Sequence, residues 1–249
     1  MSNLETYSDG AVVGHYAAAS NLLPPERYLF EKHFRPGLSV LDVGVGGGRT
    51  APHLSLGAAR YLGVDYSVAM IEACRVRFPS LEFMVADASD LSSIADGSFN
   101  LVVFSFNGID YLPDDASRRR ALSEFRRVTK PDGWIIISSH NARQLIELPN
   151  LDNANLLRKF WRILRAIGRS VRRLFSVLPH SWFWNGHGYM LDSVHGGLRT
   201  HVSSPASIAI DCAKAGLKIE EAVGALHPRR VPRWADTWTT YALCRCEST

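Results

Sequence analysis

From Leu38 onward the chain alternates two patterns: short apolar runs rich in valine and isoleucine, and stretches whose apolar residues recur every three or four positions. The first pattern predicts strands buried on both faces and the second predicts amphipathic helices. Their alternation predicts a parallel sheet covered on both sides. SVLDVGV supplies the first strand, and a helix is expected from Gly46 to about Leu56. ARYLGVD is the second strand, and Pro79 stops the helix SVAMIEACRVRF that follows it. LEFMVAD, SFNLVVFSF and GWIIISS supply three more strands. Between the last two lies the helix DASRRRALSEFRRV, with Asp114 or Asp115 as N-cap and a Pro131-Asp132-Gly133 turn closing the connection.

After Asn141 the alternation stops, and it resumes at Ser204-Pro205, a capping residue followed by proline at the first helical position. The helix SIAIDCAKA ends at Gly216, and LKIEEAVGA and TWTTYALCRC, separated only by a loop, read as an antiparallel pair at one sheet edge. The expected fold is α/β: a doubly wound, Rossmann-like, mostly parallel seven-stranded sheet with an antiparallel edge strand, built from residues 36–141 and 202–249. Residues 1–35 are expected to form an N-terminal helical cover, and residues 142–201 a helical insertion after the fifth strand that serves as lid or acceptor-binding element.

Composition narrows the class. With 46% hydrophobic and 21% charged residues the chain can bury a core, which excludes disordered and fibrous classes. No apolar run approaches the roughly 20 residues a bilayer-spanning helix needs. The start MSNLETYSDG lacks a basic segment followed by an apolar one, so a soluble, cytoplasmic chain is expected. The four cysteines (Cys74, Cys212, Cys244 and Cys246) form no CxxC pair, and reduced, packed thiols are expected.

Charge is unevenly spread. The formal net charge is +4, yet Arg158, Lys159, Arg162, Arg165, Arg169, Arg172 and Arg173 fall in a stretch with no acid between Asp152 and Asp192. The rest of the chain is therefore slightly acidic, and the basic character belongs to one segment. In that segment Leu157, Phe160, Leu164, Ile167, Val171, Leu174 and Leu178 recur at steps of three and four, which predicts a helix with one apolar face; Gly168 is a point where it could divide, and Pro179 ends it. Several readings fit: a lid packed on the core by its apolar stripe, an interfacial helix at an anionic membrane, to which Phe160, Trp161 and Phe175 are suited, or a basic face for an acidic acceptor or nucleic acid. The aromatic stretch SWFWNGHGY that follows is expected to wall an apolar pocket or to seat the insertion on the core.

The most informative segment is VLDVGVGGGRT: a buried strand ending at Asp42, a glycine-rich turn, then a helix. Glycines at 44, 46 and 48 permit positive φ and remove the Cβ atoms that would hold a ligand away from the backbone, as a nucleoside site at a strand end requires. The dinucleotide fingerprint G-x-G-x-x-G needs glycine where this chain has Arg49, and no Gly-Lys-Ser/Thr follows to make a P-loop. Asp65 ends the second strand 21 positions after Gly44, placed to accept from both hydroxyls of a ribose, and Asp87 ends the third. Asp42, Asp65 and Asp87 converge on one crevice, whose negative charge suits a cationic ligand better than a pyrophosphate.

The run from Val40 to Asn141 resembles the core of the class I S-adenosylmethionine-dependent methyltransferases of small-molecule type. It carries D-x-G-x-G-x-G, the acidic end of the second strand, the Asp-Ala pair, FNLVVFSFNGIDYL and RRVTKPDGWIIISS in that order. Core and C-terminal edge together make about two thirds of the chain, and the insertion is uncovered. The resemblance implies S-adenosylmethionine as cofactor, with Gly44, Gly46 and Gly48 bringing backbone near its methionine part and ribose, and Asp42 near the methionine ammonium. Asp65 would bind the ribose hydroxyls, Tyr66 would lie against the adenine, Asp87 would accept from the adenine amino group beside the backbone of Ala88, and Ser105 would lie near the amino-acid end.

A sulfonium methyl is already an activated electrophile, so the protein need only align the acceptor, exclude water and, for a hydroxyl, remove a proton; no metal is required. His140, after the fifth strand, is the first candidate general base, with Asp110 and Tyr111 second. His15 and Tyr16 are placed to close over the cofactor from the N-terminal cover. His187, Asp192, His195 and His201 match no common metal-ligand spacing. The leading expectation is a methyltransferase acting on an O or N atom of a small-molecule acceptor, with an amphiphilic, glycosidic or secondary-metabolite acceptor in view. A nucleic-acid methyltransferase using residues 158–173 on phosphates is the alternative, but the chain lacks an Asn/Asp-Pro-Pro-Tyr base-modifying motif and a recognisable RNA-binding module. A non-catalytic cofactor-binding protein is the third.

Overall fold

Every valine and leucine of strand β1 (Ser39–Val43) is buried, because parallel neighbours flank it on both sides: β2 (Arg60–Asp65) and β4 (Phe99–Phe104). The computed structural model describes residues 21–146, 148–149, 151–152, 155–192 and 198–245. Strand β3 (Glu82–Val85) extends the sheet beyond β2, and β5 (Thr129–His140) lies beyond β4. The last two strands of the chain, β8 (Leu217–Gly224) and β9 (Trp238–Arg245), complete the order β3-β2-β1-β4-β5-β9-β8. This is the expected seven-stranded sheet with its antiparallel pair at one edge: β9 runs antiparallel to β5, and β8, outermost, antiparallel to β9.

One apolar cluster covers each face. Phe125, Leu122 and Val128 of helix α4 (Asp115–Val128) and Ile208 and Cys212 of α7 (Pro205–Lys214) pack on one side. Leu29 and Phe30 of α1 (Pro24–His33), Leu54 of α2 (Ala51–Ser55) and Ile71 and Cys74 of α3 (Val68–Arg77) pack on the other. The helix starts follow the capping chemistry of the chain: Asp114 accepts from the Ser117 amide, Ser67 from Met70 and Ser204 from Ser207. Cys74, Cys212 and Cys244 are free thiols, and burial pushes Cys74 and Cys212 up to about 12. His15, Tyr16, His195 and Cys246 lie outside the described residues, as does most of the expected N-terminal cover.

Three expectations need correction. The helix expected from Gly46 begins only at Ala51, because Gly46 and Gly48 hold positive φ (54° and 81°) and belong to the turn. The Pro131-Asp132-Gly133 turn is not a separate connection. Strand β5 starts at Thr129 opposite Phe99 and is next in register at Trp134 opposite Leu101, so the three residues are an irregularity inside one long strand. The insertion is not purely helical either, for β6 (His187–Asp192) and β7 (Leu198–Ser203) pair antiparallel as a separate two-stranded sheet.

The helical part of the insertion is α5 (Leu156–Val177), unbroken at Gly168, followed by α6 (Ser181–Asn185). Its apolar stripe does not pack on the core. Only Ala166 and Val177 of α5 are buried, and Val177 joins Ala142, Trp182, Phe183 and Val202 in a small cluster of the insertion's own. SWFWNGHGY thus supplies the seat of the insertion, through Trp182 and Phe183, and lines no part of the glycine-loop cleft.

The hairpin is fastened to the core by polar groups. Arg118 of α4, 1% exposed, donates to Asp110 (3.1 Å), to the Ile109 carbonyl (2.8 Å) and to Ser203 Oγ at the end of β7 (3.2 Å). Ser203 in turn meets His201 Nδ1 at 3.0 Å, and His201 Nε2 faces Asp115 at 3.5 Å. Burial, reinforced by the Arg118 charge, pulls His201 down to about 4, so at neutral pH it is an uncharged bridge from β7 to α4.

Two stability measurements check this account. Between pH 6.5, the ordinary histidine value, and about 4, the unfolded chain protonates His201 while the folded chain does not, so acid draws the equilibrium toward unfolding through that window. His201→Gln should remove that part of the acid slope of the unfolding free energy, at most roughly 3 kcal/mol; an unchanged slope would show that His201 titrates normally. Arg118→Met leaves the Asp110 carboxylate buried without its cation and should cost about 3 to 5 kcal/mol in denaturant unfolding at neutral pH.

Candidate active site at the carboxyl end of the sheet

The parallel strands β1, β2 and β4 all end at one edge of the sheet, and the turn after each opens into a cleft lined by residues of all three. On the β1 side run Val43 to Gly47, Arg49 and Thr50; on the β2 and β3 side Asp65, Tyr66, Met70 and Ala86 to Ala88; on the β4 side Phe104 to Phe106, Gly108 and Tyr111 to Pro113. This is the crevice where strand order reverses, the ordinary ligand position of an open α/β sheet.

Asp65 is the fixed point of the cleft. Its carboxylate is 6% exposed and accepts the Gly46 amide on one oxygen and the Ser67 amide on the other, both at 2.9 Å. A carboxylate has about four lone-pair positions, so these amides leave it room to accept from a hydroxyl donor arriving from the cleft. Burial raises its pKa, and the backbone amides of Ser67, Gly46 and Tyr66 pull the other way. Gly44, at φ 61°, is required by packing: a Cβ there would stand 2.6 Å from the Phe104 ring.

Asp87 and Ala88 line the cleft just past β3, and Asp87 Oδ1 is held by the amide (2.7 Å) and hydroxyl (2.8 Å) of Ser89. Tyr66 forms an open wall, 37% exposed. Two candidates do not reach the cleft. Asp42 is turned behind the loop, where it accepts from Thr50 Oγ1 at 2.6 Å and Tyr61 OH at 2.9 Å; burial pushes it up to about 6 against those two bonds. It anchors the start of α2 from below, so it is too deep to meet an ammonium group in the crevice. Gly48 serves packing as well, since a Cβ there would meet the Phe78 ring at 2.6 Å.

The residue whose role the sequence hid is Arg49. Noticed only as the missing third glycine, it enters the cleft and forms a two-pronged ion pair with the buried Glu26 of α1, both bonds 2.7 Å. Its Nη2 also reaches Ser105 Oγ at 3.3 Å, and its guanidinium lies 4.9 Å from the Phe106 ring centroid. Glu26 comes from a helix 23 residues earlier in the chain, so no local motif pairs the two.

A second constellation adjoins the cleft. The Asp110 carboxylate, 0% exposed, accepts from Arg118 (3.1 Å) and Ser139 Oγ (2.8 Å) on one oxygen, and from the His140 amide (2.6 Å) and His140 Nδ1 (3.0 Å) on the other. A carboxylate oxygen accepts, so Nδ1 is the donor to Asp110, and Nε2 lies 3.2 Å from the Asn107 side-chain nitrogen. His140 is the last residue of β5 and is partly exposed, but it does not line the cleft; Tyr111, which does, stands between them with ring centroids 6.2 Å apart. Asp110 has no exposed atom to offer a substrate and can act on one only through His140.

The donor set suits an adenosyl amino acid: an acceptor for a vicinal diol at Asp65, an acceptor for an exocyclic amine at Asp87, a flat wall at Tyr66, and the half-buried Arg49 cation beside the buried Glu26 for a zwitterionic tail. Comparison with known proteins agrees. Residues 40–133 match the family model described as a methyltransferase domain. The chain is 33% identical over 103 residues to a demethylmenaquinone methyltransferase of Renibacterium salmoninarum, covering 41% of each chain. It is 32% identical over 124 residues to a ubiquinone biosynthesis O-methyltransferase of Albidiferax ferrireducens, covering 47% of this chain and 48% of the other. The chain thus spans less than half the length of these curated relatives. In fold it is similar to the CcbJ methyltransferase of Streptomyces caelestis, with a TM-score of 0.65 at 17% identity over 97% of this chain and 98% of that one. It is also similar to the glycopeptide N-methyltransferase MtfA, solved with S-adenosylmethionine, with a TM-score of 0.58 at 16% identity over 92% and 88%. Residues 40–133 thus match a methyltransferase domain, and the strand order and the glycine turn with its acid at the end of β2 are those expected from the resemblance to the class I S-adenosylmethionine-dependent methyltransferases.

Proposed function

We propose that the protein transfers a methyl group from S-adenosylmethionine to an O or N atom of a small, amphiphilic acceptor. The observation that carries the reading is Asp65, whose buried carboxylate lines the cleft and is clamped there by the Gly46 and Ser67 amides. Asp65 holds the ribose diol, Asp87 and the Ala88 backbone meet the adenine edge, Tyr66 covers its face, and the Arg49–Glu26 pair receives the charged tail beside Ser105. When bound, S-adenosylmethionine supplies an electrophilic methyl group. The protein's own task is then to position the acceptor, keep water away and take up a proton.

His140 is the proposed general base. Asp110 acts as a positioning residue that fixes its tautomer, and Arg118 and Ser139 hold Asp110 in place. Asn107 occupies the Nε2 lone pair at 3.2 Å and must yield it to the acceptor hydroxyl. The amphiphilic acceptor is supported by the quinone names of the two relatives and by the insertion that follows His140 directly, which presents an apolar helix. A cytoplasmic protein in peripheral contact with an anionic membrane fits the same features. Among the described residues no helix is long and apolar enough to cross one.

Asp65→Ala should weaken S-adenosylmethionine binding by about 1.5 to 3 kcal/mol in calorimetry, the worth of hydrogen bonds to a charged group; unchanged affinity would remove Asp65 from the site. His140→Gln should lower turnover of a hydroxyl acceptor about a hundredfold or more and leave cofactor affinity intact. If turnover persists at the wild-type level, His140 is structural. Cofactor binding without turnover of any acceptor in an extract given labelled donor would favour a non-catalytic binding protein.

A further inference from the structure

Helix α5 keeps its charges and its apolar groups on separate sides. At 100° per residue, Leu156, Leu157, Phe160, Trp161, Ile163, Leu164, Ile167, Val171, Leu174 and Phe175 fall within an arc of about 160°, and the seven cations fall in the arc that remains. All ten apolar side chains are exposed, from 37% at Leu174 to 86% at Leu156. The body of the protein touches the helix elsewhere, at Ala166 and Val177 and through Arg173, whose Nε donates to the Gln144 carbonyl at 2.9 Å. The apolar arc therefore faces outward over the whole length of the helix, about 33 Å at 1.5 Å per residue. Folding leaves no such patch in water without a use.

We infer that α5 is an interfacial anchor that lies in the surface of a membrane rich in anionic phospholipid. Three features select a bilayer. The apolar surface is a convex ridge, which a flat, deformable apolar layer covers completely. Cations line both borders of the ridge, Lys159 on one side and Arg165 and Arg172 on the other, where long stems let the charges reach phosphate while the apolar side chains sink below it. The helix contains no acid, so a second copy laid on this face would bring fourteen cations together, whereas an anionic surface neutralises them. The anchor also has a bearing on the site. Gln144, the partner of Arg173, is four residues past His140, so the helix that meets lipid is tied to the chain leaving the acceptor side of the sheet. The inference needs nothing of the methyl-transfer reading.

Co-sedimentation of the full chain with vesicles tests it. Vesicles of equal phosphatidylglycerol and phosphatidylcholine should carry the protein down at low salt. Phosphatidylcholine alone should bind far less, and molar salt, where the screening length is about 3 Å, should release the protein. Each cation is worth roughly fivefold, so the triple variant Arg158→Glu, Arg165→Glu, Arg172→Glu should lose a hundredfold or more. Ile167→Glu with Val171→Glu, both at exposed positions, should abolish sedimentation while leaving cofactor affinity, which reports folding, unchanged. Failure of the wild-type protein to sediment with anionic vesicles overturns the proposal. Sedimentation that needs the arginines but survives the two glutamates also overturns it and points to a polyanion such as RNA. Self-association without lipid that the two glutamates abolish overturns it in favour of a second copy.

Discussion

A carboxylate with no exposed atom must find donors inside the protein, and the four that Asp110 finds organise the part of this molecule around the end of β5. Two come from the end of β5, through the amide and ring of His140; one comes from Ser139; and the guanidinium of Arg118 brings in α4 and the hairpin of the insertion. The short helical turn after β4, the end of β5 and Ser203 of β7 thus meet around one charge. The position of the proposed base, the seat of the insertion and the closure of the sheet edge depend on the same ion. A change at Arg118 accordingly reaches His140 without touching it.

The glycine-turn cleft is built on a different principle. Its functional groups are strand ends and turns, and backbone amides do the holding: Gly46 and Ser67 clamp Asp65, and the Ser89 amide with its hydroxyl clamps Asp87. Such groups are fixed by local chain geometry, which is why their place at the carboxyl ends of the strands was legible in the sequence. A glycine turn after a buried strand, an acid at the end of the next strand and another past the third place themselves once the parallel sheet is recognised. The sheet was legible for the same reason, since strands buried on both faces read as unbroken apolar runs.

What the sequence did not reveal depends on pairings across distance. Asp42 stands in the motif beside the glycines, yet whether its side chain faces the crevice or the core turns on Tyr61 and Thr50 being there to receive it. Arg49 read as a lost glycine because its partner, Glu26, lies on a helix outside the motif. The hairpin of the insertion was missed because Tyr189 and Met190 on one strand and Thr200 and His201 on the other show no clean alternation of apolar and polar. In α5 the pattern gave the helix and its two faces correctly, but periodicity cannot say what an apolar face meets, and here the core does not take it.

The two halves are joined at two residues that a side-chain inventory would pass over. Phe106 and Asn107, directly after β4, both have positive φ (54° and 61°), a conformation costly for any residue with a Cβ and rare in succession. The Ser138 hydroxyl, accepting the Asn107 amide at 2.7 Å, holds them there from β5. Two consecutive left-handed residues throw their side chains in opposite senses from one point of the backbone. Phe106 lies against the Arg49 guanidinium in the cofactor cleft, and Asn107 bonds His140. Asn107 Oδ1 is meanwhile buried without a partner among the described residues, so the amide sits in a second unfavourable arrangement beside the first. Strain of this kind persists only where the surroundings over-determine it. Here the chain is bent where a wall of the glycine-turn cleft and the side chain that meets the proposed base are separated by a single peptide unit.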